Sequence, residues 1–76
     1  MKTICNLKYN QTGRVVAVHG EGHVRKRLFD MGVTPSIEVT LLKCAPLGDP
    51  IEILIRGYHL SLRKDEALLV EVEVLE

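Results

Sequence analysis

Residues 37–55 of this 76-residue chain, IEVTLLKCAPLGDPIEILI, carry a pattern typical of paired β-strands. Apolar side chains recur at every second position in 37–41 and again in 51–55. A period of two is typical of a strand that buries one face, and the prolines and glycine of 46–50 are typical of a turn. The stretch therefore predicts two antiparallel strands joined by a short loop.

On either side of this hairpin, the apolar patterns predict three more strands and two helical segments. A strand covers residues 14–19 with Val16 and Val18 on its buried face, a helix covers 22–31, a strand contains Leu60 and Leu62, a helical turn covers 64–67, and a last strand covers 70–74. An open sheet of five short strands would leave two edges unpaired in so small a chain. The sequence therefore predicts one all-β domain, residues 1–76, folded as a small closed barrel of about five strands with one short helix inserted after the first long strand.

The helix predicted over residues 22–31 is short and depends on packing. Val24, Leu28 and Met31 make one apolar stripe at helical spacing. Gly32 stands where a helix often ends in a left-handed residue. Because a helix of this length is not stable alone, its stripe is expected to pack on the barrel.

The net charge of the chain is zero, but its charges are unevenly placed. Residues 1–30 carry six basic and two acidic side chains, whereas 65–76 carry five acidic side chains and no basic one. Two oppositely charged poles could steer a partner, or they could be ordinary solvated faces. With no basic surplus and three aromatic residues, the chain lacks the features of a nucleic-acid-binding protein, and no nucleic-acid partner is expected.

No apolar run approaches the length of a membrane span, and no signal peptide is recognisable at the start of the chain. A cytoplasmic location without membrane insertion is therefore expected, in which Cys5 and Cys44 remain free thiols. Only Ser36 and Ser61 could act as serine nucleophiles, and neither lies in a nucleophile-elbow sequence. The chain is not expected to be an enzyme.

Metal-ligating residue types are present but poorly grouped. His19 and His23 are four residues apart, a spacing that suits a metal when both lie on one helix, but the glycines between them argue against that. Cys5, Cys44 and His59 could add ligands only if the fold gathered them. The sequence therefore assigns no metal ligands, requires no cofactor, and leaves weak transition-metal binding open.

Three separated pieces of the chain form a combination that is more specific than any one of them. The pieces are Arg27-Leu28 with Met31-Gly-Val33 and Pro35, then Pro46-Leu-Gly-Asp-Pro-Ile51, then Leu60-Ser-Leu-Arg-Lys-Asp-Glu-Ala67 with Val70-Glu-Val72. The combination resembles the FeoA family, ferrous iron transport protein A, from about Leu7 to Val74. This resemblance implies an SH3-like barrel, similar also to the C-terminal module of iron- and manganese-dependent repressors.

The resemblance also implies a function. It indicates a small cytosolic accessory of ferrous iron uptake that acts by protein–protein interaction with a membrane ferrous-iron transporter carrying a cytosolic GTPase domain. A homo-oligomer stays open, as do two alternative roles: a metal-sensing or metallochaperone domain, and a free-standing relative of the repressor barrel. One departure is that Ser36 follows Pro35 where the family usually has glycine, and serine tolerates a positive φ poorly.

Candidate partner-binding residues lie in three places. Two leucines occupy the polar phase of their strands, which would put them on the outer face as near cross-strand neighbours. The loop between these strands has an apolar tip, and the helix carries a basic group. The plainer alternatives are leucines packed beneath the helix, a loop that only turns, and an arginine stem laid on the barrel. The candidates are Leu42 and Leu54, then Leu47, Gly48, Asp49 and Pro50, then Arg25, Lys26 and Arg27.

Overall fold

Five antiparallel strands form a single sheet in the computed structural model, which describes residues 1–75. The strand order is β4-β3-β2-β1-β5. The elements along the chain are a 3₁₀ turn (Ile4–Asn6), β1 (Thr12–Val18), α1 (Gly22–Asp30), β2 (Glu38–Cys44), β3 (Ile51–Ile55), β4 (Tyr58–Leu62), the one-turn helix α2 (Lys64–Ala67) and β5 (Val70–Val74). The predicted strand number, the inserted helix and the helical turn are all confirmed.

The sheet rolls into a barrel-like shape without being hydrogen-bonded shut. Its principal dimensions are 29 × 26 × 25 Å, nearly equal in all directions, as expected for a rolled sheet. Within residues 1–75 the two outer strands, β4 and β5, are not paired with each other. The N-terminal segment covers the free edge of β5 instead, since Val72 N donates to Lys2 O at 2.8 Å and Thr3 bridges Glu71.

The core is aliphatic, and its members come from every strand and from α1. In β3 the alternation is as predicted, because Ile51, Ile53 and Ile55 are all buried. Leu28 is the buried residue of α1, and Leu7 anchors the lead-in segment to the core. The barrel therefore encloses side chains and not a ligand cavity.

The alternation predicted for β1 is wrong at Val16. Val15 is 2% exposed, whereas Val16 is 50% exposed. The β1–β5 pairing shifts register between Val15 and Ala17, so a bulge inserts an extra residue at this point. Because side chains in a strand alternate, the bulge allows Val15 and Val18 to face the core together.

Helix α1 packs through its C-terminal half only. Leu28 is fully buried and Met31 packs on the core, but Val24 is 41% exposed, so the predicted apolar stripe is wrong at its first position. The helix ends in a Schellman motif: Val33 N donates to Leu28 O at 3.0 Å and Gly32 N to Phe29 O at 2.9 Å. Gly32 has a φ of +93°, which places the glycine as predicted.

Candidate partner-binding site

A surface pocket of about 280 Å³ opens at the end of the barrel where β3 begins and β4 ends. Helix α1, the loop over residues 45–50 and helix α2 meet around it. The residues that line it are Arg27, Asp49, Pro50, Ser61, Leu62, Arg63 and Glu66. Three of these, Arg27, Asp49 and Pro50, are among the partner-binding residues expected from the sequence.

An ion pair between Arg27 and Glu66 connects α1 to α2. Arg27 Nη1 lies 3.1 Å from Glu66 Oε2, and the Glu66 side chain is only 9% exposed. The second oxygen, Oε1, accepts a hydrogen bond from Arg63 N at 2.9 Å. A buried carboxylate is tolerated only when it is paired and hydrogen-bonded, and Glu66 is both. This pair therefore fixes one wall of the pocket.

The loop over residues 45–50 is held by its own hydrogen bonds and by α2. Gly48 N donates to Ala45 O at 2.7 Å, Ala45 N to Pro50 O at 3.0 Å, and Asp49 Oδ1 accepts from Lys64 N at 3.0 Å. Gly48 has a φ of +81°, a conformation that favours glycine. The tightened loop presents Leu47, which is 92% exposed. None of these hydrogen bonds involves the Leu47 side chain, so the turn itself does not require a leucine at this position.

The three sequence pieces that carry the family resemblance meet at this pocket. Arg27 comes from the first piece, Asp49 from the second and Glu66 from the third. The Arg27–Glu66 pair joins the first piece to the third, and the Asp49 bond to Lys64 N joins the second to the third. The three pieces thus occur together for a physical reason, because the third piece contacts each of the other two beside the pocket.

The other two basic candidates on α1 are used within the helix region and lie outside the pocket lining. Arg25 Nε donates to Val18 O at 3.1 Å, and its guanidinium lies 4.5 Å from the centre of the Phe29 ring. Lys26 Nζ lies 3.3 Å from Asp30 Oδ2, one helical turn along. The basic run is therefore divided by the helix geometry, and Arg27 alone faces the pocket.

Leu42 and Leu54 are half-buried and do not belong to the core cluster. The β2–β3 pairing shifts register between Leu41 and Lys43, which leaves Leu42 in a bulge, while Leu54 pairs with Thr40. The two leucines are thus not directly opposed across the hairpin. Leu54 lies on the outer face of β3, and its neighbour on β4 is His59.

Ser61, Arg63 and Glu66 line the pocket but are not among the site residues expected from the sequence. Glu66 lies three residues after the residue that precedes α2, a spacing at which a carboxylate bonds back to the start of a helix. That signal identifies the local bond to Arg63 N. The second bond of Glu66, to Arg27, joins residues 39 positions apart in the chain, so no local sequence pattern could reveal it.

The possible metal ligands are dispersed. Among residues 1–75, no group of three or more histidine, cysteine, aspartate and glutamate side chains has an arrangement that could hold a metal ion. His19 Nε2 pairs with Glu71 Oε1 at 2.9 Å and His59 Nδ1 with Glu52 Oε2 at 3.0 Å, two separate pairs. Burial raises the pKa of the Cys5 thiol, which disfavours the thiolate that binds metals.

The described part of the chain contains no helix that is long and apolar enough to cross a membrane. Both helices are short, since α1 contains nine residues and α2 contains four.

Comparison with known proteins gives a consistent assignment. The FeoA domain model matches residues 2–74. A Porphyromonas gingivalis protein, the "Fe(2+) transport protein A/Fe(2+) transporter FeoB fusion protein", is 41% identical over 61 residues. That match covers 80% of this chain but only 7% of the length of the fusion protein.

Solved structures agree on the fold. The FeoA protein from Chlorobium tepidum has a TM-score of 0.90 and 36% identity, covering 99% of this chain and 71% of its own. The zinc-complexed FeoA of Stenotrophomonas maltophilia, a prokaryotic SH3 domain protein, has a TM-score of 0.83 and 25% identity over 96% of this chain and 91% of its own. A manganese-dependent transcriptional repressor matches at a TM-score of 0.89 but 16% identity, over 97% of this chain and 36% of its own, and shows the fold alone. The expected SH3-like barrel and its likeness to the repressor module are confirmed.

Proposed function

The chain belongs to the FeoA family, and we propose that it is a cytosolic accessory of ferrous iron uptake that docks on a membrane ferrous-iron transporter with a cytosolic GTPase domain. The observation that carries the proposal is the P. gingivalis relative, in which Fe(2+) transport protein A and the transporter FeoB are one polypeptide. Fusion raises the effective concentration of one part at the other, which is useful when the two bind each other.

The surface around the pocket has the composition of a small docking site. Leu47 is an exposed apolar side chain on a tightened loop, and burying one leucine is worth about 1.5–3 kcal/mol. The same loop contributes Asp49 and Pro50 to the pocket, whose lining also contains Arg27 and Arg63, and arginine is enriched at interfaces. An apolar tip on a tightened loop that borders this pocket favours a specific contact, since little conformational entropy is lost on binding.

The same site supports binding over catalysis. Ser61 is the only hydroxyl side chain in the described lining, and no histidine or cysteine accompanies it there. The two carboxylates of the lining, Asp49 and Glu66, already accept hydrogen bonds from backbone N–H groups. An activated nucleophile needs an adjacent base that is available to take its proton, and the lining of this pocket offers a poor one.

A quantitative binding experiment tests the proposal. The transporter from the same organism is placed in nanodiscs and titrated with the labelled chain and its Leu47→Ser variant. Removing the apolar tip should weaken binding about tenfold, or 1.4 kcal/mol, while the melting temperature stays unchanged because Leu47 is exposed.

The matched control is Val16→Thr, which removes an exposed aliphatic side chain beyond the opposite end of β2. It should bind like the wild type. If the wild-type chain fails to bind the transporter, the proposed function is wrong. If it binds and Leu47→Ser binds equally well, the loop is not part of the interface.

Weak transition-metal binding is a second property that we propose, separate from docking. It is favoured by the relative from S. maltophilia, which was crystallised with zinc. In this chain His19 lies beside Glu71, and His59 lies beside Glu52. These two pairs are the places best suited to bind a divalent ion, because each offers it one histidine and one glutamate ligand. A two-ligand site on the surface binds zinc weakly compared with a four-ligand structural site.

A further inference from the structure

Hydrogen-bond donors outnumber available acceptors in the pocket between α1, the 45–50 loop and α2. Both oxygens of Glu66 are engaged, one by Arg63 N and one by Arg27 Nη1. Asp49 Oδ1 is engaged by Lys64 N. The acidic side chains of the lining are therefore largely satisfied by the protein itself.

The arginine donors are not satisfied in the same way. A guanidinium carries five N–H donors, and Arg27 uses Nη1 on Glu66 while its side chain remains 65% exposed. Within residues 1–75, the Arg63 guanidinium takes part in no ion pair. Arg27, Arg63 and Ser61 are all residues of the pocket lining. The pocket therefore offers unused donors to a group that can accept several hydrogen bonds.

The other residues of the lining and the size of the pocket indicate what kind of acceptor group would fit. Pro50, an exposed residue of the lining, contributes apolar surface to the same pocket. Its volume of about 280 Å³ lies just below the roughly 300–1,000 Å³ typical of small-molecule sites. A small acceptor on an aliphatic stem matches both features, with its methylene groups on Pro50 and its oxygens on the arginines.

We propose that this pocket receives a single carboxylate side chain, a glutamate or aspartate, from a protein partner. Arginine binds carboxylates through paired N–H donors, which gives both strength and direction to the contact. Because Leu47 projects from the same loop as Asp49 and Pro50, the partner segment should carry an apolar contact next to its acidic residue. This last feature rests on the proposed docking function, whereas the carboxylate site itself does not.

The test uses the isolated ¹⁵N-labelled chain and therefore does not depend on any transporter. N-acetylglutamate N-methylamide is titrated at low ionic strength, where screening is weakest, and its glutamine counterpart is titrated in parallel. The carboxylate should produce saturable shifts at the amides of Ser61, Arg63 and Glu66 and at the arginine side-chain N–H groups. The neutral glutamine compound should produce none of comparable size.

Arg63→Gln is the deciding variant. It removes the guanidinium but keeps the backbone N–H that binds Glu66, so the fold should remain intact. Its affinity for the carboxylate probe should fall about tenfold, as expected when a charged donor pair is lost. Arg56→Gln is the matched control, since Arg56 is an exposed arginine in the turn at the other end of the β3–β4 hairpin, and it should bind the probe like the wild type.

Three results would overturn the proposal: equal shifts with the glutamine compound, no loss of affinity in Arg63→Gln, or tighter binding of inorganic phosphate than of the carboxylate. The last result would assign the pocket to a different anion. Because no transporter is present, failure here leaves the docking proposal standing, and failure of docking leaves this one standing.

Discussion

At Ser36 the backbone has a φ of +80°, in the left-handed region that side chains with a Cβ disfavour. Two hydrogen bonds to Val15 of β1 hold this conformation. Ser36 N donates to Val15 O at 2.8 Å, and Val15 N donates to Ile37 O at 2.8 Å. The turn therefore holds a serine in a geometry that suits glycine, at the position where the family resemblance leads one to expect glycine.

Ser36→Gly should raise the free energy of unfolding by about 0.5–1 kcal/mol. Relief of the left-handed strain contributes about 1–2 kcal/mol, and the greater freedom of glycine in the unfolded chain offsets about 0.5–1 kcal/mol of it. Urea unfolding measures the difference. Asn10→Gly is the control, because Asn10 also has a positive φ, of 63°, but asparagine tolerates it and should gain less. A Ser36→Gly variant less stable than the wild type would contradict this account of the turn.

The single residues of the fold differ in how well the sequence predicts them. Gly32 and Leu47 could be placed in advance, because a helix end and a loop tip are local features. Val16 could not, because the bulge in β1 depends on how β1 pairs with β5. A pattern of period two gives the wrong face wherever pairing inserts an extra residue.

Among the elements, the contact between α1 and α2 depends most on one side-chain pair. Arg27 neutralises the buried carboxylate of Glu66, and neither helix is long enough to be stable alone. The strands and α1 were predictable from periodicity and turn residues. The pairing of α1 with α2 was not, since it joins residues far apart in the chain, and the pocket between them could not be predicted for the same reason.

Arg27→Met should destabilise the chain by about 1–2 kcal/mol, because it leaves the Glu66 carboxylate buried without its charged partner. The loss should be smaller when Glu66→Gln is already present, since the amide needs no counter-ion and its oxygen can still accept from Arg63 N. A double-mutant cycle on urea unfolding measures this coupling.

The control for this cycle is Lys26→Met, which removes an ion pair from the same helix. Lys26 and Asp30 are 77% and 65% exposed, and an exposed pair of this kind contributes at most about 0.5 kcal/mol. Equal losses in Arg27→Met and Lys26→Met, or no coupling between Arg27 and Glu66, would show that the pair does not hold the helices together.

In the molecule as a whole, the buried aliphatic side chains form the core that stabilises the barrel. Both cysteines are free thiols, and the buried residues form one continuous cluster. The all-β barrel and its five strands followed from the sequence, because period-two alternation is strong in β3 and β5. The unclosed seam between β4 and β5 did not follow, since it depends on the N-terminal segment covering the β5 edge.

Removal of metal should therefore leave the fold intact. Treatment with a chelator should change neither the far-ultraviolet circular dichroism spectrum nor the melting temperature, because no group of ligands among residues 1–75 ties the structure together. His19→Ala/His59→Ala should behave like the wild type in this assay while losing any weak zinc binding. A large drop in melting temperature on chelation would instead show that metal binding supplies folding energy.

In the proposed complex the barrel contacts the ferrous-iron transporter through the 45–50 loop and the pocket beside it. This claim can be tested by hydrogen–deuterium exchange of the chain, free and bound to the transporter in nanodiscs. Exchange should slow on binding in residues 45–50 and 61–66, and should stay unchanged at the Arg56-Gly57 turn at the far end of the β3–β4 hairpin. Protection confined to that turn or to β1, with the loop and pocket unaffected, would contradict the claim.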